Sequence, residues 1–292
     1  MTRDKTAQFA IHTFFILLSV MMVAPMLLVI AISVTDESSL LLNGYRFIPE
    51  AIDLTAYKLI LEGPKLLLQA YGVTIAVTVI GTLLSLLITA MLGYAISRRD
   101  YRYGRITTFI VFFTMLFSGG LVPSYILITQ YLHMKDTLWA LIVPAMLSPF
   151  NVMLMKGFLS KIPGEIIESA KIDGAGEFRI FFTMILQLST PALATLGLFI
   201  SFMYWNDWWL GLLYIDNQKL VPLQLLLYRM MNTMDFLAAN LSRLNVRIDM
   251  SNFPSLSAKM AMAVLAAGPM MFVFPFFQKY FVKGLTVGSL KG

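Results

Sequence analysis

Residues 11–32 contain no Asp, Glu, Lys or Arg. About 20 apolar residues of helix cross the hydrocarbon core of a bilayer, so this stretch is long enough to span one. It is too long for the apolar region of a secretory leader and has no clear small-residue cleavage site. It reads as a membrane helix loosened at Pro25. Five more apolar stretches follow, at about 71–96, 106–128, 138–155, 180–204 and 260–281. The chain is 58% hydrophobic and only 13% charged, with a mean hydropathy of +0.77. That charged share is about half that of a soluble domain, and no soluble interior hides this much apolar surface. The expected fold is an all-α integral membrane protein, a single transmembrane domain over 1–292 with six membrane helices.

Charge places the ends. With six spans, the segments on the side of both termini hold Arg3, Lys5, Arg98, Arg99, Arg102, Arg105, Lys156, Lys161, Lys171, Arg179, Lys279, Lys283 and Lys291, which is 13 of the 22 Lys and Arg. Those segments are also much the shorter set. The positive-inside rule therefore puts both termini, and the segment 156–179 between them, in the cytoplasm. The same rule explains the net charge of +6, which is no nucleic-acid footprint. Outside lie a mixed loop at 33–69, a short turn with His133, Lys135 and Asp136, and a long segment at 205–259. Within the last, 220–241 mixes Leu and Met with Gln224, Arg229, Asn232 and Asp235. An interfacial or pore-flanking helix is expected there, since a seventh span would carry the C terminus outside. In the second span Gly72, Gly81 and Gly93, with Ser85 and Ala90, form a small-residue face for close helix packing.

One stretch breaks the apolar pattern. Lys156, Lys161, Glu165, Glu168, Lys171, Asp173, Glu177 and Arg179 crowd into 156–179. Pro163 suits a first helical position, Glu165 the first turn and Lys171 the last, and Gly174 is a stop signal just beyond. A helix of about ten residues is roughly 15 Å long, too short to cross a bilayer, so it is expected in water. Ser169, Ala170, Gly174, Ala175 and Gly176 are small enough for another protein's surface to approach this backbone closely.

Glu168-Ser169-Ala170, Asp173-Gly174-Ala175, Phe178, Ile180 and Pro191 together resemble the cytoplasmic coupling loop of ABC importer permeases. The likeness is best to the carbohydrate-importing branch, and there to the second permease subunit of maltose-like importers. Tyr94-Ala95 with Arg98, the run Trp205-Asn206-Asp207, and the stretch from Lys279 to Thr286 are similar to the same branch. Four residues depart from its pattern: Ser169 replaces an Ala, Met184 an Ile, Gln187 a Pro and Lys283 an Arg. With Gln187 in place, Pro191 is left to bend the fifth span near its start.

The resemblance implies a type I ABC importer permease fold, multi-pass in the bacterial cytoplasmic (inner) membrane. It implies as partners a second homologous permease, two ATPase subunits, an extracytoplasmic solute-binding protein, the lipid bilayer and a sugar substrate. ATP and Mg would be held by the ATPases, and no cofactor by this chain. Glu165, Glu168, Ser169, Ala170, Asp173, Gly174, Ala175 and Phe178 are the residues expected to couple to an ATPase. Within the branch the chain looks most like permeases for oligosaccharides of plant or algal polysaccharides, including acidic ones such as alginate or pectin fragments.

Tyr204, Trp205, Asn206, Asp207 and Trp208 have two readings. Trp and Tyr settle at membrane interfaces as an aromatic belt; flat rings with Asn and Asp also suit a sugar, so the run is a candidate substrate path. Arg229, Arg243, Arg247 and Lys259 would suit an acidic ligand or pair with a binding protein. No catalytic residue and no metal ligand is expected. The chain has no cysteine and no phosphate-binding Gly-x-x-x-x-Gly-Lys loop,. Gly174-Ala175-Gly176 follows a polar helix, not a strand, and is no dinucleotide fingerprint. An ion-driven secondary transporter is the alternative, but it needs ionisable groups near mid-membrane, and the six spans hold none beyond their ends.

Overall fold

The computed structural model describes residues 2–240 and 255–287. Arg243 and Arg247 lie outside the described residues. α1 (Thr2–Ser33), α2 (Glu37–Asn43) and α3 (Thr55–Leu61) are followed by α4 (Pro64–Ser97) and α5 (Gly104–Leu116). α6 (Leu121–Ile126) runs into a π-turn at Leu127–Tyr131, and α7 (Leu138–Ile142) into a tighter turn at Val143–Ala145. α8 (Pro149–Leu159) and the short polar α9 (Gly164–Ile172) come next. α10 (Glu177–Ile180) continues through a π-turn into α11 (Leu186–Leu188), before α12 (Thr190–Trp205) and α13 (Trp209–Tyr214). α14 (Leu223–Asn240) and α15 (Leu256–Val287) complete the described chain. Among the described residues there is no β-sheet; Thr35 and Ile52 form one isolated antiparallel bridge.

Three unbroken helices are long and apolar enough to cross a membrane: Ala7–Ser33, Pro64–Ser97 and Leu256–Val273. They fall on the expected first, second and sixth spans. α1 continues through Pro25 without a break. Phe14, Ile16, Met21 and most of its other large side chains are exposed, a surface suited to lipid and not to water. The other three expected spans are each broken. Gly104–Leu116 meets Leu121–Tyr131 at 113°, Leu138–Ala145 meets Pro149–Leu159 at 53°, and Glu177–Leu188 meets Thr190–Trp205 at 81°. The first break follows from Gly119 and Gly120, with Gly120 at φ +88° where only glycine sits without strain,. α14 is not among the helices apolar enough to span.

The chain divides into two compact units, Met1–Leu67 with Leu227–Pro269, and Leu68–Leu226 with Met270–Gly292. In the second, α4 is the axis. A Cβ on Gly81 would lie 2.7 Å from the Tyr204 ring and one on Gly93 2.8 Å from Met155 Cγ. Both glycines are therefore places where another helix comes close. Gly72 has no such neighbour. Ile96, Val111 and Val152 form one apolar core between α4, α5 and α8. The start of α14 is buried too, and Leu223 N–H donates to Thr74 Oγ1 at 2.8 Å. Beyond α6, Asp136 Oδ1 accepts from the amides of Asp216 (2.7 Å) and Asn217 (2.8 Å). Those amides, Asn217's first, hold the Asp136 carboxyl below the usual carboxylate range.

The first unit is organised around Glu37. It opens α2 but is buried, with 4% of its surface exposed. Its carboxylate accepts four bonds from the start of α15: Ser255 Oγ (3.0 Å), Leu256 N (2.8 Å), Ser257 N (3.0 Å) and Ser257 Oγ (2.8 Å). An acceptor there satisfies amides that a helix start leaves open and suits the helix dipole. Lys259, on the same turns, pairs with Asp235. Glu37→Ala should cost roughly 2–4 kcal/mol, because several buried donors lose their acceptor at once. Thermal melts of the wild-type and variant complex in detergent check this, with Glu37→Gln expected to fall between them.

Candidate functional site

α9 ends as its sequence dictates but starts one residue late. Pro163 occupies the cap, with ψ 129°, and Gly164 is the first helical residue. No side chain caps it. The residue before the helix needs extended backbone, which proline adopts readily. Ser169 Oγ, where the resemblance expects Ala, donates back to the Glu165 carbonyl at 2.8 Å. At the other end Gly174 takes φ +79°. Its N–H donates to the Lys171 carbonyl (3.0 Å) and that of Ala175 to the Ala170 carbonyl (2.9 Å), the paired bonds of a Schellman cap,.

The side chains sort into two sets. Glu165, Glu168, Ser169, Asp173, Gly174 and Phe178 are exposed, and Ala175 is half-buried. Ala170 differs: it is 2% exposed and packs inside its own chain, out of a partner's reach. Two large apolar side chains point the other way, Ile172 at 86% exposed and Phe178 at 72%. Covering either is worth roughly 1.5–3 kcal/mol. Ile172 escaped the sequence reading because one exposed Ile is unremarkable without knowing which face it takes.

The far end of α9 is tied to the end of α4. Arg98 Nε donates to Asp100 Oδ1 at 2.8 Å. Lys171 Nζ reaches Asp100 Oδ2 (3.1 Å) and Glu177 Oε1 (2.7 Å). Tyr94 Oη donates to Glu177 Oε2 at 3.0 Å and accepts from Arg98 Nη1 at 3.2 Å. The Arg98 bond first, and then the Lys171 bond, hold the Asp100 carboxyl well below the ordinary carboxylate range, against the opposing effect of desolvation. Lys171 is raised, first by Glu177 and then by Asp100. The Tyr94 and Phe181 rings lie 5.5 Å apart beneath this cluster. A cavity of about 370 Å³ opens beside it, lined by Met91, Tyr94, Arg98, Glu177 and Phe178 among others.

The second candidate, 204–208, is split by the fold. Tyr204 is buried; its hydroxyl donates to the Ile142 carbonyl (2.9 Å) and lies 3.1 Å from Ser85 Oγ. Trp205 is buried, with its ring 6.4 Å from Tyr71. Asp207 Oδ1 accepts from the amides of Trp209 (3.0 Å) and Leu210 (3.2 Å), capping α13. Burial pushes its carboxyl up, against those two bonds. Tyr204, Asn206, Asp207 and Trp208 line a cavity of about 370 Å³ with Pro144, Ala145, Met203 and Leu210, and Trp205 does not. No cation lines it.

A family model for the inner membrane component of binding-protein-dependent transport systems matches residues 89–287. The chain belongs to this family. It is 35% identical to the polygalacturonan/rhamnogalacturonan transport system permease protein YtcP of Bacillus subtilis (strain 168), over 99% of this chain and all of that one. It is 37% identical to protein LplC of the same organism, over 92% of this chain and 90% of that one. In shape it is similar to a chain in the crystal structure of a bacterial ABC transporter involved in the import of the acidic polysaccharide alginate, with TM-score 0.79 and 26% identity, covering 96% of this chain and 98% of that one.

The permease thus carries Glu165, Glu168, Ser169 and Ala170 on α9, Asp173, Gly174 and Ala175 in the turn after it and Phe178 in α10, and most of 204–208 around one cavity. What the sequence did not reveal was the clamp of Arg98, Asp100, Lys171 and Glu177. Its only signal was that Asp100 is the single acid in the arginine-rich turn. Tyr204 holds a broken helix together, so Tyr204→Phe should lower stability by about 1–2 kcal/mol, as an unsatisfied buried carbonyl costs. Thermal unfolding of the intact complex checks this; no change would mean the Ile142 carbonyl has another partner.

Proposed function

We propose that this permease forms half of the translocation path for an oligosaccharide, driven by ATP hydrolysis in partner ATPase subunits. The observation that carries this is the pair Ile172, at the end of α9, and Phe178, in α10 just past the Gly174 turn, both exposed on a water-side loop that is clamped by charge to the end of a membrane helix. Such a loop suits a cleft on an ATPase: apolar anchors give affinity, and Glu165, Glu168 and Asp173 give polar contacts. Closure of the ATPases moves α9, and the clamp passes that motion to α4. The path itself lies between this chain and a second, homologous permease. ATP and Mg belong to the ATPases. Both termini and 156–179 lie in the cytoplasm, and a solute-binding protein delivers substrate on the other side, to loops 33–69 and 205–259.

The substrate class is an oligosaccharide of plant or algal polysaccharides. The names of the relatives support an acidic one, such as a pectin or alginate fragment. In the cavity at 203–210, Asn206 and Asp207 suit hydroxyls and Trp208 suits a sugar face. Asp207 and the absence of a lining cation leave a uronate's charge to be read elsewhere, by the binding protein or the second permease. Lys259 is already paired with Asp235. An ion-driven transporter is not favoured by the family.

The test is ATP hydrolysis and uptake by the reconstituted assembly with its binding protein. Uronate oligosaccharides should stimulate hydrolysis more than neutral ones. Gly174→Asp, which forces a side chain into a left-handed turn at about 1–2 kcal/mol, and Glu168→Lys should each reach the membrane yet abolish uptake. Normal uptake by both variants would remove the coupling mechanism. Stimulation by neutral sugars alone would remove the acidic substrate.

A further inference from the structure

A third, larger cavity lies beside the arginine-rich turn, and of the clamp described above Arg98 alone is among its lining. It measures about 770 Å³. Arg99, Arg102 and Arg105 line it from the turn and Lys156 from α8, and none of its lining residues is acidic. Arg98 also lines it, but that charge is bound to Asp100. Among the described residues Lys156 Nζ donates to a neutral partner, Thr108 Oγ1, at 3.0 Å, and forms no ion pair. α5 begins at this cavity with no side-chain cap and no acidic residue in its first turn, although a helix start favours a negative neighbour. Phe109 and Phe112 line the same cavity from α5 and are exposed, at 65% and 46%. They are three residues apart and so share a face.

We propose that this cavity binds the phosphate of an anionic phospholipid, with an acyl chain laid along Phe109 and Phe112. Guanidinium groups present forked donors that match phosphate oxygens. Basic pockets between membrane helices on the cytoplasmic side take anionic headgroups. The positive-inside rule asks only that cations stay inside. It does not ask that the turn and α8 bring them to one cavity with an aromatic wall. A soluble phosphate would use the cations and leave the aromatic wall bare, which favours the lipid. The inference rests on the cytoplasmic placement of this turn under the proposed function.

The intact importer, with its partner subunits, is reconstituted in an equal mixture of phosphatidylglycerol and phosphatidylcholine, and the lipids it retains are counted by native mass spectrometry. Phosphatidylglycerol should be retained preferentially. Arg102→Gln with Arg105→Gln should reduce that preference roughly tenfold or more. Phe109→Ala with Phe112→Ala keeps every charge, and with it the orientation, and should also lower retention. Equal preference in wild type and the arginine variant overturns the proposal. So does unchanged retention in the phenylalanine variant, or displacement of phosphatidylglycerol by millimolar inorganic phosphate, which would make the ligand a soluble phosphate. The chain has no cysteine, so Ser160→Cys reports orientation separately. Labelling of that thiol from outside sinks the cytoplasmic placement, whatever the lipid count.

Discussion

The coupling proposed for this permease depends on how one short helix is held. Nine residues of helix are marginal in water without tertiary contacts,. α9 is held by two kinds of contact of unequal strength. Asp100, Lys171 and Glu177 are 57%, 40% and 52% exposed at their side chains, and solvent-exposed ion pairs contribute about 0–1 kcal/mol each. Burying Ile180 and Phe181 just past the loop is worth roughly 1.5–3 kcal/mol apiece,. Burial therefore fixes where the loop sits. The charges fix its direction, because Lys171 bridges Asp100 on one side and Glu177 on the other, while Tyr94 and Arg98 bind the cluster to α4.

A second constraint runs through the bent segments. Breaking a helix inside a membrane frees backbone groups that lipid cannot satisfy. Pro191 has no N–H for the Gln187 carbonyl, and Thr190 Oγ1 donates to that carbonyl instead, at 2.7 Å. At Val143–Ala145 the Met146 amide turns to Val143, at 3.2 Å, which frees the Ile142 carbonyl. Tyr204 Oη fills that place. After Gly120, Ser124 Oγ donates to the Gly120 carbonyl at 2.8 Å. The bends at Pro191 and at Val143–Ala145 thus each have a hydroxyl on a freed carbonyl, whereas the Gly120 carbonyl also accepts from the Ser124 amide. The same tyrosine explains Gly81, since its ring occupies the space a Cβ would take.

Local chemistry was legible in the sequence and distant pairing was not. The stop at Gly174 follows from a rule about one residue, whereas Pro163, expected as the first helical residue, is the extended residue before the helix. The bend near Pro191 was foreseen from that proline, and it falls at Ser189, two residues before it. Gly119 and Gly120 announced a loosened third span, but a sequence does not encode a 113° angle in any one residue. Glu37 looked like one acid among several in a loop. Its partners, Ser255 to Ser257, come some 218–220 residues later. The run 204–208 looked like one site because its residues are consecutive. A helix end turns neighbours to different sides, so Trp205 is buried near Tyr71 while Asn206 and Trp208 reach the cavity.

The central claim is that α9 takes work from an ATPase and hands it to the membrane helices. Its most direct test is cross-linking in the assembled importer. Ile172→Cys puts a single thiol on the exposed face of α9 in a chain that has no other. The account predicts that a short cross-linker joins this thiol to an ATPase subunit, with a yield that differs between the ATP-bound and nucleotide-free states. Joining to no ATPase in either state, from a fully assembled and active complex, would contradict it.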